Sequence, residues 1–422
     1  MTTAVPPPGW RWLRSLAAAA GLGAVSGVLI YMFLVGLRWV TTTREEHRWL
    51  LWLLPVAGLV MGAAISRAAG LSLGGTRRTM TEIRKPLAGV PFRMAPISLL
   101  GTLTTHLFGG SAGREGTALQ ITGGVAGGLG ARLGWSVREQ RQLLVVSLAA
   151  GFGAVFGVPW AGIVFAFEVA PTGAISRVRA LLASAVAVVI AHGIVERLGY
   201  RHTDYGHAPV DLSGGAWWRL WFIAIALGIG AWVFPRLVDL VDRGLHRVHR
   251  HRGVRMALGG GLVALVVVVF NAWDETGLSL GVLSRAVDGD ASWRSFVLKL
   301  VLTAITLGAG FPGGEVTPSF VMGATLSVTV ADWIGSTHAT VAVAARLGFV
   351  ALFGAAANAP LAATVMGVEM FGWSMAPVLL VGCVTARIVS GSHHIYECLD
   401  EDDDVIGPGP DDPFDDAVTG PR

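Results

Sequence analysis

Two short loops hold the residues of this sequence best suited to handling a small charged species. The first, GGSAGREGT from Gly109 to Thr117, contains four glycines, Arg114 and Glu115, and an apolar stretch follows it. Glycines at this density permit sharp turns and let backbone N–H groups approach a ligand, and a helix starting after the loop adds the positive end of its dipole. Such a cradle favours an anion, with Gly113, Arg114 and Gly116 supplying donors. An ionised Glu115 would occupy the anion's place and a protonated one would vacate it, so one side chain could couple proton and anion. The alternative is a structural pair of Arg114 and Glu115 at an interface. The long apolar runs on either side favour function, because ionisable groups at membrane depth are costly.

The second loop, GAGFPGGEVT from Gly308 to Thr317, brings Gly313, Gly314, Glu315, Thr317 and then Pro318 to the start of an apolar run ending near Ala331. Proline and threonine here point to a helix start. A second carboxylate would repel an anion unless protonated or hydrogen-bonded, so Glu315 belongs either to a proton path or to the orientation of Thr317. A capped helix end facing water is the competing reading. Glu115 and Glu315 are 200 residues apart. A further pair of segments, GVPWAGIVFAFEV from Gly157 and NAPLAATVMGVEM from Asn358, sets Pro159 and Pro360, and Glu168 and Glu369, each 201 residues apart. Four features at nearly one offset imply two structural repeats, which transporters commonly invert.

The elements that must position these loops lie in lipid. The chain is 53% hydrophobic and only 14% charged, against about 25% charged in an ordinary soluble domain. Several apolar runs fall short of the roughly 20 residues needed to cross a bilayer, and glycine or proline interrupts others, so tilted and broken helices are expected. The fold class is therefore all-α and integral to the membrane, with two inverted repeats over about 17–199 and 216–396. A cytoplasmic segment at 1–16 and an acidic, disordered tail at 397–422 flank a transport domain at 17–396. Fifteen tryptophans suit interfacial anchoring, and basic clusters at Arg77 to Lys85 and Arg243 to Arg255 suggest cytoplasmic loops. The net charge of +4 then speaks of orientation, not of nucleic acid. Two cysteines, Cys383 and Cys398, cannot supply a zinc site or a disulfide framework; no metal or cofactor is expected.

GREGT, GGEVTP, GVPWAG and NAPLAA together resemble the CLC family of anion channels and anion/proton exchangers, over about Ala17 to Tyr396. The GREGT and GEVTP variants are similar to its fluoride-exporting branch. That resemblance implies a homodimer in the cell membrane with one anion pathway per subunit and Glu115 as the gating glutamate. It implies backbone amides from Phe311 to Val316 near the anion, Glu315 and Thr317 in proton transfer and gating, and Tyr396 facing the anion from the inner side. Fluoride/proton antiport is the function implied, with a chloride channel or chloride/proton exchanger as the alternative.

Departures from the chloride pattern matter. Chloride exchangers carry a second glutamate after the first in the element that begins GVPWAG, whereas Glu168 is followed by Val169 here. Their upstream serine loop is replaced by GGTRRTMTEI, in which Thr76 takes the serine's place and Arg77 and Arg78 are unusual. Fluoride is small and strongly hydrated, so several close donors are needed to extract it from water, and backbone amides, Thr317 and Tyr396 could serve. Phe152, Phe156 or Phe311 could offer ring edges, though packing is the usual role of such residues. An intramembrane enzyme built on His106, Ser111, His192 or the pair His393 and His394 is the reading from another class. No G-x-S-x-G or H-E-x-x-H motif accompanies those residues, and a membrane histidine more often bonds a neighbouring helix.

Overall fold

The computed structural model describes residues 8–67, 75–84, 89–170, 177–207, 210, 216–392 and 395. The first half contains α1 (Pro8–Glu46), α2 (Leu54–Arg67), α3 (Gly75–Arg84), α4 (Met94–Leu107), α5 (Glu115–Arg132), α6 (Val137–Phe156), α7 (Pro159–Val169) and α8 (Arg177–Arg197). The second contains α9 (Ala216–Val248), α10 (Arg252–Phe270), α11 (Leu280–Val287), α12 (Trp293–Gly308), α13 (Val316–Trp333), α14 (His338–Ala356), α15 (Pro360–Phe371) and α16 (Ala376–Ser390). The halves repeat in order: α5 and α13 both have 18 residues, and α7 and α15 have 11 and 12. Seven helical segments among the described residues are long and apolar enough to cross a membrane. Shorter helices such as α4, with 14 residues, and α7 cannot, which agrees with the broken spans expected.

Local chemistry sets the helix ends. Ser136 caps α6 in a reciprocal box with Glu139, and Thr337 caps α14, each giving an orphan N–H a partner. After α6 and α14 the chain turns through left-handed residues, Gly157 at φ 77° and Asn358 at φ 54°, which glycine and asparagine tolerate best. Proline then opens α7 and α15, where its missing N–H costs nothing. One boundary differs from expectation: α1 begins at Pro8 and its apolar span at Trp12, so residue 17 lies inside a continuous helix. Trp10, Trp12, Leu13 and Leu16 extend the helical pattern beyond the uncharged run that begins at Ala17.

Small residues let the long helices approach. A Cβ added at Gly23 would lie 2.5 Å from the Ala187 carbonyl oxygen, and one at Gly27 would lie 2.8 Å from that of Ala191. The mirrored pair, α9 and α16, meets the same way at Gly228, 2.6 Å from the Ala386 oxygen. In lipid, where burying apolar surface drives little association, such close backbone contact holds helices together. Between the halves lies a buried aromatic cluster. Phe152 of α6 stacks on Phe165 at 4.4 Å and on Phe353 of α14 at 5.8 Å, and Phe320 of α13 stacks on Phe349 at 4.6 Å.

The repeats also cap each other. Glu168, at the end of α7, accepts from the N–H groups of Leu361 (3.0 Å) and Ala362 (2.7 Å) at the start of α15. Glu369, at the end of α15, accepts from Trp160 (3.0 Å) and Ala161 (2.7 Å) at the start of α7. Each carboxylate thus meets two orphan donors and the positive end of a helix dipole.

Candidate functional site

The two chemically promising loops meet at the centre of the molecule. Gly113 N–H donates to the Gly314 carbonyl at 2.7 Å and Gly314 N–H donates to the Gly113 carbonyl at 3.0 Å, an isolated antiparallel bridge. This bridge sets the starts of α5 and α13 against each other. Glu115, first residue of α5 and 1% exposed, extends its carboxylate onto the opposing helix start. Oε1 accepts from Val316 N–H at 2.5 Å, while Oε2 accepts from Thr317 N–H at 3.2 Å and from the Thr317 hydroxyl at 3.0 Å. The carboxyl group therefore sits where a helix N-terminus offers unpaired donors, the usual place for a bound anion.

The room is tight. A Cβ on Gly314 would stand 1.9 Å from Glu115 Oε1 and one on Gly313 would stand 2.3 Å from the Ala112 Cβ, so neither position accommodates a side chain without displacement. Among the described residues the donors on the carboxylate are fewer than the loop pattern implied. Gly113 and Gly314 spend their amides on each other, and Phe311 N–H donates to the Thr306 carbonyl at 3.2 Å. Val316 and Thr317, both first-turn residues, keep theirs free for a ligand because no residue lies one turn before them within the helix.

Neighbouring elements hold the loops by a polar stripe that the loop motifs did not reveal. On α12, Thr306 Oγ1 accepts from Ser111 N–H at 3.0 Å and Thr303 Oγ1 lies 3.0 Å from Ser111 Oγ. One turn earlier, the buried Lys299 ammonium donates to the carbonyls of Glu275 (3.2 Å) and Gly277 (2.7 Å) and to Ser279 Oγ (2.8 Å). Ser111 Oγ also donates to the Glu275 carbonyl at 3.2 Å, so loop 275–279 and the Glu115 loop form one network. On α4, Thr102 lies 2.5 Å from Thr117 and Ser98 donates to Gln120 at 2.5 Å. Ser98, Thr102 and Thr105 precede Lys299, Thr303 and Thr306 by the same 201 residues that separate Glu168 from Glu369. Applying that offset to the helices before each loop would have found the stripe from the sequence.

Cavities approach the seat from two sides. A 510 Å³ vestibule lined by Gly109, Arg114 and Tyr200 adjoins a 20 Å³ crevice that also includes Arg114 and ends on Thr317, Phe156 and Phe320. A separate 330 Å³ cavity ends on Phe311, Gly313 and Glu315. Glu315 thus lines the second cavity, while Thr317, the partner of Glu115, ends the first. Arg114 does not pair with Glu115 among the described contacts; its guanidinium donates to Tyr200 Oη at 3.4 Å and lies over the Phe156 ring. Phe152 packs in the aromatic cluster, and the Phe311 ring abuts Gly58 of α2. Gly116 opens α5 beside this seat. The backbone of Thr76 lies in α3, but its side chain and the whole of Tyr396, like His393, His394 and Cys398, lie outside the described residues. Of the residues weighed as catalytic, Ser111 is bound into the α12 stripe, His106 is buried near the end of α4, and His192 pairs with Glu196 at 3.6 Å on α8.

The family described as "Voltage gated chloride channel" matches residues 58–391. The chain belongs to the CLC family. It is 36% identical over 398 residues to a "Chloride/fluoride channel protein" of Pseudomonas syringae pv. tomato, a match covering 92% of this chain and 85% of that one. Among solved structures it is similar to a CLC-type fluoride/proton antiporter, with 28% identity, a TM-score of 0.87, and coverage of 93% of this chain and 99% of that one. A slow cyanobacterial Cl⁻/H⁺ antiporter, at 24% identity and a TM-score of 0.77 over 95% of this chain and 99% of that one, shares the fold. The protein is accordingly a multi-pass membrane member of a family of anion channels and anion/proton exchangers, with the inverted-repeat, all-α architecture of that family.

Proposed function

We propose that the protein exchanges fluoride for protons across the cell membrane, with Glu115 as the group that links the two movements. The observation that carries this reading is the Glu115 carboxylate lying on the Val316 and Thr317 amides and the Thr317 hydroxyl. Ionised, the carboxylate fills the seat. Protonated, it is a poorer acceptor, leaves, and an anion takes the same donors. Because one seat cannot hold both, anion arrival and carboxylate departure are tied, and the departing carboxylate carries a proton.

Fluoride is favoured over chloride on three grounds. The seat offers three converging donors to a small ion whose dehydration is costly. Val169 stands where chloride exchangers place a second glutamate. Fluoride appears in the names of two relatives, the 36% identical channel protein and the antiporter structure with the TM-score of 0.87. Glu315, in the wall of the 330 Å³ cavity, is suited to take up or release the proton there. The protein works as a homodimer with a pathway in each subunit.

Purified protein in liposomes tests this directly. Fluoride efflux should far exceed chloride efflux, with protons moving oppositely. Comparable chloride flux would assign the protein to the chloride exchangers, and anion flux without proton movement would make it a channel.

A further inference from the structure

The turn from α9 into α10 carries five arginines and three histidines between positions 243 and 255, and no acidic residue. An excess of positive charge is what a cytoplasmic loop requires, but that rule does not say what the individual arginines meet. Three of the five are engaged: Arg243 Nε donates to the Asp239 carbonyl at 3.3 Å, Arg252 Nη2 to the Gly310 carbonyl at 3.2 Å, and Arg255 Nη1 lies 2.5 Å from His246 Nδ1. Arg247 and Arg250 are exposed, and neither has a carboxylate partner among the described contacts. On α9 the neighbouring carboxylates are Asp239 and Asp242, and Asp242 already lies 3.4 Å from His246 Nε2.

The same chain holds an acidic segment of opposite character. Residues 397–422, outside the described residues, contain 10 of the 28 acidic residues and a single basic one, Arg422. The fold brings the start of that segment to the side of the basic turn. His207, which precedes α9, lies 2.7 Å from a Cβ built on Gly372, which precedes α16. Farther along, Gly228 of α9 meets Ala386 and Val389 of α16, so the two helices run in the same direction, away from the vestibule that Tyr200 and Thr203 line. Ile395 N–H then donates to the Ala356 carbonyl at 2.8 Å, while α9 continues from Gly228 to Val248, about 30 Å at 1.5 Å per residue. The run DDPFDD from Asp411 to Asp416 begins 16 positions after Ile395, which allows up to about 50 Å of chain. It therefore reaches the turn with slack.

We propose that the acidic segment 397–422 docks on the α9–α10 turn of its own chain, with Arg247 and Arg250 as its principal contacts. Guanidinium groups pair with carboxylates through parallel N–H bonds, and attachment through a short stretch of chain gives the segment an effective concentration on the order of millimolar. An anionic leaflet competes for the same arginines, but it repels the segment itself, which leaves the turn as the segment's nearest basic surface along α9. The turn also borders the 330 Å³ cavity, which Asp242 of α9 and Arg252 of α10 line together with Gly313 and Glu315. A docked acidic segment there opposes the entry of anions from that side. The docking does not rest on fluoride exchange; its effect on flux rests on that cavity belonging to the anion path.

The test is photocrosslinking in the full chain, held in nanodiscs containing phosphatidylglycerol, with benzoylphenylalanine in place of Phe414. At low ionic strength the crosslink should map by mass spectrometry to peptides within 243–255 and run as a single chain. The surface double variant Arg247→Gln/Arg250→Gln should cut its yield at least fivefold, and so should high ionic strength, which screens exposed charges. Crosslinks confined to phosphatidylglycerol, to other parts of the chain or to a second copy overturn the proposal, as does a yield indifferent to both perturbations. In liposomes at low ionic strength, neutralising Asp411, Asp412, Asp415 and Asp416 to Asn should raise anion flux at least twofold, and an unchanged flux overturns the effect assigned to the cavity. The crosslink is read without flux, so a failure of fluoride exchange leaves the docking result standing.

Discussion

Replacing Glu115 by Gln keeps the side chain's shape and removes the charge that its seat holds. Three donors converge on the carboxylate, Val316 N–H at 2.5 Å, Thr317 N–H at 3.2 Å and Thr317 Oγ1 at 3.0 Å. Hydrogen bonds to a charged group contribute about 1.5–3 kcal/mol, and neutral ones about 0.5–1.5 kcal/mol. The amide therefore holds the seat more weakly by about 1 kcal/mol per donor, or roughly 3 kcal/mol over the set. That is about a hundredfold in a competition constant, so fluoride, which needs the same donors, should bind the variant up to about two orders of magnitude more tightly. The amide also cannot carry a proton, and proton movement should cease while fluoride still passes. Calorimetric fluoride titration measures the first effect; liposomes monitored together by fluoride and pH electrodes measure the second. If fluoride affinity stays at its wild-type value and protons still move, carboxylate and anion do not share the seat and the reasoning fails.

Five other substitutions probe the surroundings. Gly314→Ala puts a methyl group 1.9 Å from Glu115 Oε1, so it should dislodge the carboxylate and raise uncoupled fluoride leak in the same efflux assay, with an overpacking cost of about 1–3 kcal/mol. Lys299→Met strands the Gly277 carbonyl, which the ammonium meets at 2.7 Å; unfolding in detergent should show a loss of about 3 kcal/mol. Glu168→Ala and Glu369→Ala each uncap two helix donors and should cost about 1–2 kcal/mol apiece in the same measurement, leaving proton coupling unchanged. His202, in the connection after α8, is pushed down to about 3 by burial and then by the charges of Arg114 and His192. The folded protein keeps it neutral while the unfolded chain takes up a proton below its ordinary value of about 6.5, so stability present above that pH is lost as pH falls from there toward 3. His202→Gln should flatten this loss, worth up to about 2 kcal/mol at pH 5, in melting curves taken across pH.

Much of this arrangement is legible in the sequence because the repeats leave a fixed offset. Helix starts after both glycine loops, proline at the first position of α7 and α15, and the all-helical membrane class follow from residue types at that spacing. What spacing could not convey is which partner each group finds across the molecule. Glu168 and Glu369 stand out as repeat markers, yet only the fold shows that each caps the other's helix. The Phe311, Gly113 and Gly314 amides look available in the loop pattern, but the 113–314 bridge and the turn back to Thr306 consume them. Lys299 sits within an apolar run and carries no motif, because its ligands are main-chain carbonyls of loop 275–279, and any residue type supplies a carbonyl.

In the proposed exchange, the inverted repeat is what lets a single carboxylate serve as the gate. In one helix, a glutamate at the first position can reach only its own helix start, where the local donors are poorly aimed at it. Folding the two halves face to face brings a foreign helix start within reach, and the Gly113–Gly314 bridge fixes the spacing so that the reach matches one glutamate side chain. The same crossing occurs a second time in the molecule, at Glu168 and Glu369, but reciprocally, with both carboxylates seated at once. At the centre the Glu115 carboxylate lies on the opposing first-turn donors at Val316 and Thr317, and Glu315 lines a cavity. The crossing at the periphery holds the halves together, and in the proposed exchange the crossing at the centre supplies the donors for which a carboxylate and an anion compete.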